Sequence, residues 1–171
     1  MGVLMNEALR ARQLIPPVTA RTTDGAIVRA WDYKQKRSLL IAFLHADCTN
    51  CNEWLAQLAA RALDLVERET VGLILYAEAP PRATELLAAP MIAAADVTGH
   101  SQRAFLGREA FGSSGLARVG VFVTDRYGEL CEQWIARESS ELPAPGQILS
   151  TLWKIQIVCE ECASDPWFTD S

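Results

Sequence analysis

The sequence lacks most of what would tie a protein to a membrane, to nucleic acid or to secretion. No apolar run reaches the length of a membrane-spanning helix. Residues 1–14 hold no apolar segment of signal-peptide length, because Glu7, Arg10 and Arg12 interrupt it. The expected compartment is therefore the cytoplasm. Net charge is −5, with both signs spread along the chain. The one small basic group, Lys34, Lys36 and Arg37, reads as a solvated face, so neither nucleic acid nor a membrane is an expected partner. Internal repeats and low-complexity segments are absent, which excludes repeat architectures.

What is present suits one compact α/β domain. The chain has 171 residues, half of them hydrophobic, enough to enclose a core. Five cysteines in a reducing compartment point to catalysis, metal binding or reduced thiols rather than a disulfide framework. Residues 39–54 organise the rest. An apolar run of strand length ends in a polar turn, and Cys48 and Cys51 follow before a long amphipathic stretch. This predicts a buried strand, a loop and a helix, with the two cysteines at the helix N-terminus. Unpaired N–H groups and the positive end of the helix dipole stabilise a thiolate there. A Cys-x-x-Cys spacing lets one sulfur be exposed while the other sits one turn in, and the pair can close a small disulfide. Cys48 is the expected attacking thiol and Cys51 the resolving one. Half a metal site, or two inert buried thiols, would use the same spacing.

Around this stretch the pattern predicts a short helix over residues 5–14 and a hairpin of residues 18–21 and 27–30 about Asp24-Gly25. Residues 38–44 form a strand buried on both faces, as in parallel sheets. Residues 53–69 form one helix with Trp54, Leu55, Leu58, Ala62, Leu65 and Val66 inward. Strands follow at 71–76 and 91–95, short helices at 82–89 and 100–106, and a flexible loop at 112–115. A closing hairpin spans 119–136 and a last helix 147–158. The expected fold class is α/β, a mixed central sheet flanked by helices. Its expected divisions are an extension (1–13), a domain (14–158) and a tail (159–171).

This order of elements resembles the thioredoxin-like fold, and more closely the redoxin branch of alkyl hydroperoxide reductase and thiol-specific antioxidant proteins, the peroxiredoxin-like family. The resemblance rests on residues 17–33 with Thr23-Asp24-Gly25, on residues 43–51 in the active-site place, and on residues 121–128 as the late strand and turn. It implies a thiol–disulfide oxidoreductase, with a thiol peroxidase or a redox-inactive binding module as alternatives. Implied partners are protein or small-molecule disulfides or peroxides and a thiol reductant such as a thioredoxin. No cofactor or metal is implied, and a homodimer is one assembly it allows.

Several positions depart from the resemblance. Val119 stands where such folds carry a cis-proline facing the disulfide, the substrate-groove position. Ala42 replaces a buried acid. Asp47 replaces a tryptophan, and its carboxylate is expected to oppose a thiolate at Cys48. Against the peroxidase pattern, Cys48 takes a threonine's place, Cys51 the peroxidatic cysteine's and Leu44 a proline's. Arg118 falls near an arginine that polarises the peroxide. His45, three residues before Cys48, is a candidate base or thiolate stabiliser against an ordinary structural role. A second pair, Cys159 and Cys162, reads as an auxiliary dithiol, half of a zinc site shared across a dimer, or an incidental spacing. Cys131 reads as a small packed hydrophobe, and Asp96 as a turn or cap residue.

Overall fold

The computed structural model describes the backbone of residues 9–164 and the side chains of residues 9–157. Its centre is β3 (Ser38–Phe43), followed by α1 (Thr49–Ala59), α2 (Ala62–Glu67) and β4 (Thr70–Tyr76). Before it stand β1 (Thr19–Arg21) and β2 (Ile27–Arg29). After β4 come β5 (Met91–Ala95), α3 (His100–Leu106), β6 (Phe111–Gly112) and β7 (Gly115–Leu116). The chain closes with β8 (Val119–Thr124), β9 (Leu130–Ala136) and α4 (Pro145–Ser164). Seven strands form one sheet in the order β2-β1-β5-β4-β3-β8-β9. β3, β4 and β5 run parallel, and β8 lies antiparallel to β3. The mixed central sheet matches the pattern's expectation.

The unbroken apolar run of β3 has its cause in this position. Leu40, Ala42 and the adjoining Leu44 enter the layer built with Trp54, Leu55, Leu58, Leu65, Ile148 and Leu152. Leu39, Ile41 and Phe43 enter the opposite layer with Phe105, Leu106 and Phe122. These six residues are at most 3% exposed. Phe43, Phe105 and Phe122 meet there with ring centroids 5.0–5.8 Å apart. Each such side chain contributes roughly 1.5–3 kcal/mol on burial. Gly120 lets α3 sit this close, since a Cβ there would come within 2.6 Å of Leu106 Cδ2 and 3.2 Å of the Trp134 carbonyl.

Four expectations are corrected. The helix after the cysteines begins at Thr49 and breaks near Ala60 and Arg61, where Arg61 leaves helical geometry (φ −108°, ψ 24°). Arg61 Nε then donates to Asp64 Oδ2 at 2.6 Å and ties the start of α2. The break re-phases the inward face, so Leu65 stays buried and Val66 is 54% exposed. Residues 112–115 form the turn of the β6–β7 hairpin rather than a flexible loop. Residues 9–14 are not helical: Leu14 bridges Glu129, and Arg12 N–H donates to the Leu130 carbonyl at 2.6 Å. Pairing with the β9 end wins because Leu14, 64% exposed, has no core to face; residues 5–8 of that expected helix lie outside the described residues. The last helix continues to Ser164 and carries positions 159 and 162.

Candidate active site

The parallel strands β3 and β4 end at one sheet edge, and the loops beyond them meet there, the usual place for sites in such sheets. Cys48 is the N-cap of α1. Its backbone is extended (φ −147°, ψ 113°), and its Sγ accepts the Cys51 main-chain N–H at 3.2 Å. Cys48 is half-buried, whereas Cys51, one turn in, is 1% exposed. The two thiols ionise in opposite directions. Burial pushes the Cys48 thiol up, but hydrogen bonds from the Cys51 thiol, the Ser139 hydroxyl and the N–H groups of Cys51 and Asn50 outweigh it. The net position is below the ordinary thiol value. Burial, reinforced by the Cys48 sulfur, pushes Cys51 up to about 11, only partly offset by the His45 main-chain N–H and by Ser139. Tyr76, at the end of β4 and in the same core layer as Cys51, is also raised, first by burial and then by the charge of Cys51.

Ser139 has no signature in the sequence. It lies in a 3₁₀ turn, Ser139–Glu141, between β9 and α4, and its Oγ is 3.5 Å from Cys48 Sγ. Trp54 of α1 holds that segment: its Nε1–H donates to the Pro143 carbonyl at 2.8 Å. A tryptophan inward on α1 and a proline-bearing loop ahead of α4 were both visible as local features. Their contact depends on the sheet order that brings β9 and α4 back beside α1.

A cleft of about 450 Å³ opens at Cys48, lined by residues 44–48, Ala77, Glu78 and the Ser114, Gly115 and Leu116 wall of the β6–β7 hairpin. His45 and Asp47 line it beside Cys48. Burial lowers the His45 imidazole, which favours its neutral form, and the groups that hold the Cys48 thiol down do not include it. Local hydrogen bonds thus hold the Cys48 thiol below its ordinary value although the Asp47 side chain lines the same cleft.

Val119 does not form a groove. It is 0% exposed and packs in the same core layer as Cys51, paired with Ala136 on β9. Arg118 is turned from the cleft. Its guanidinium pairs with Glu109 and donates to the Leu106 carbonyl at 3.3 Å. Asp96 is a turn residue: its Oδ2 accepts the Ser101 N–H at 2.8 Å and leads into α3. Cys131 is half-buried on β9, its thiol 3.5 Å from the Glu129 carbonyl. Positions 159 and 162 lie on α4, about 21 Å and about 26 Å along the helix from Pro145 at ~1.5 Å per residue; their side chains lie outside the described residues. Among the described residues no three His, Cys, Asp or Glu side chains converge as a metal site, and no helix is long and apolar enough to cross a membrane.

No family model and no curated protein matches the chain by sequence. Solved structures do match. Peroxidoxin BcpB from Mycobacterium tuberculosis superposes with a TM-score of 0.73 at 14% identity, covering 86% of this chain and 98% of its own. A reduced 2-Cys peroxiredoxin from Plasmodium vivax gives 0.69 at 13% identity, covering 88% and 98%. A putative thiol:disulfide interchange protein DsbE from Chlorobium tepidum gives 0.62 at 17%, covering 85% and 99%. At such identities the likeness speaks for the fold. The chain has the thioredoxin-like fold.

Proposed function

We propose that the protein is a thiol–disulfide oxidoreductase acting through Cys48 and Cys51. The carrying observation is the asymmetry of the pair: a half-buried Cys48 held below the ordinary thiol value beside a buried Cys51 pushed up to about 11. The Cys48 thiolate attacks one sulfur of a substrate disulfide, forms a mixed disulfide and releases the first substrate thiolate. Cys51 loses its proton and attacks Cys48 Sγ, which expels the second substrate thiolate and leaves the Cys48–Cys51 disulfide. Two electrons pass to the substrate. A thioredoxin-like dithiol then returns them, in a reducing compartment such as the cytoplasm. The chemistry uses neither cofactor nor metal.

A thiol peroxidase is the weaker reading. Cys51, which takes the peroxidatic place in the resemblance, is closed off, and Arg118 is engaged with Glu109. The test is to mix reduced protein with the neutral bis(2-hydroxyethyl) disulfide and map the products by mass spectrometry. A Cys48–Cys51 disulfide is expected in the native chain, and a Cys48 adduct should accumulate in Cys51→Ser. No such linkage, or an adduct on Cys51 alone, refutes the assignment. Peroxide consumption with a dithiol reductant, faster than disulfide reduction, would favour the peroxidase.

A further inference from the structure

The cleft at Cys48 carries charge of one sign. Asp47 precedes Cys48 in the loop after β3, Glu78 follows β4, and both exposed carboxylates line the opening. The rest of the lining is apolar or neutral: Leu44, Ala46, Ala77, the hairpin residues and an imidazole that burial keeps uncharged. Among the described residues no lysine or arginine lines it. The segment whose Ser139 hydroxyl is 3.5 Å from the reactive sulfur carries exposed Glu138 and Glu141 against one cation, Arg137, although none of these three is among the residues that line the cleft. Arg118, at the head of β8 on the same sheet edge, is already paired with Glu109.

We propose that this acidic rim makes the site selective for cationic disulfides. The substrate is a polypeptide disulfide with lysine or arginine close to its cysteine, and dianionic disulfides such as oxidised glutathione are turned away. The inference rests on the disulfide-exchange reading and specifies its substrate class. The cleft volume suits a disulfide with one flanking side chain, far more room than a peroxide needs. The nucleophile is itself an anion, so the rim's field acts on the incoming charge during encounter, where like charge slows and opposite charge speeds association.

Two methanethiosulfonates of opposite charge test this, the trimethylammonium-ethyl and sulfonato-ethyl reagents. In each reaction the thiolate takes the reagent's sulfur as a disulfide and methanesulfinate leaves, so both modify any accessible thiolate whether or not the dithiol turns over. Loss of the Cys48 thiol is followed by mass spectrometry and divided by each reagent's rate with 2-mercaptoethanol. A shift in the Cys48 pKa cancels in the ratio. The cation is expected to be favoured roughly tenfold or more at low ionic strength, with most of the preference lost near 1 M salt. Asp47→Asn with Glu78→Gln should remove most of it at low salt. A normalised ratio near one, a preference for the anion, or a ratio indifferent to salt overturns the proposal. Failure to trap a Cys48 adduct with the neutral disulfide sinks the exchange reading itself, a separate result. With turnover established, cystamine should outpace oxidised glutathione in the native chain.

Discussion

Cys48 and Cys51 share one turn of helix and ionise in opposite directions. Their spacing was legible in the sequence, and so was the helix N-terminus. The roles of attacking and resolving thiol follow from which sulfur is open to the cleft, and burial provides that difference. At neutral pH iodoacetamide should label Cys48 well before Cys51, as peptide mapping would record. Ser139→Ala removes one of the hydrogen bonds that hold the Cys48 thiol down. A bond of this kind is worth about 0.5–1.5 kcal/mol, so the labelling rate at pH 7 should fall roughly twofold to tenfold. The pH profile of labelling should move to higher pH. An unmoved profile would make Ser139 a packing residue. Nothing around Ser139 in the chain announces it, because a serine in a loop can touch anything the fold brings near.

The apolar period of residues 53–69 supported one helix, yet the chain divides it at Ala60 and Arg61. A period of 3.6 reports which residues share a face and is blind to a re-phasing that keeps Leu58 and Leu65 inward. α1 matters for function beyond its cysteines, because Trp54 fastens the turn that carries Ser139. Trp54→Phe keeps an aromatic ring, smaller than the indole, and deletes the N–H donor. Stability should drop by about 1–3 kcal/mol in urea unfolding, from the lost bond and the volume left behind. Amides of residues 138–146 should exchange faster with solvent, and Cys48 labelling should slow. Faster exchange with unchanged labelling would separate the loop from the thiol.

Over the whole molecule, the buried thiol of Cys51 couples folding to pH. Its folded pKa, about 11, lies above the 9.0 of an unperturbed thiol, so the unfolded chain gives up this proton first as pH rises. Stability from this group is complete below about pH 9 and is lost as pH climbs toward 11. Two units correspond to of order 3 kcal/mol. Cys48, whose folded value is depressed, acts with the opposite sign. Comparing the reduced native chain with Cys51→Ala by denaturant unfolding across pH 8–11 reads this effect together with the loss of the Cys51 thiol's hydrogen bond to Cys48. The native chain should lose stability more steeply. Parallel curves would mean that the thiol is not buried in solution.

Apolar runs and turn residues by themselves determined the order and type of most elements, the two-faced burial of β3 and the position of the cysteines. These depend on neighbours within a few residues, where side-chain period and backbone preference act directly. Strand order decided the rest. Only when β3 and β4 lie parallel side by side do Asp47 and Glu78 face one opening, and only when β9 and α4 return beside α1 does Ser139 reach Cys48. Val119 packs in the core, paired with Ala136, and a partner nine residues away in the chain drew off Arg118. Such contacts join residues far apart in sequence or settle one side chain among several reachable partners, and no local pattern encodes that choice.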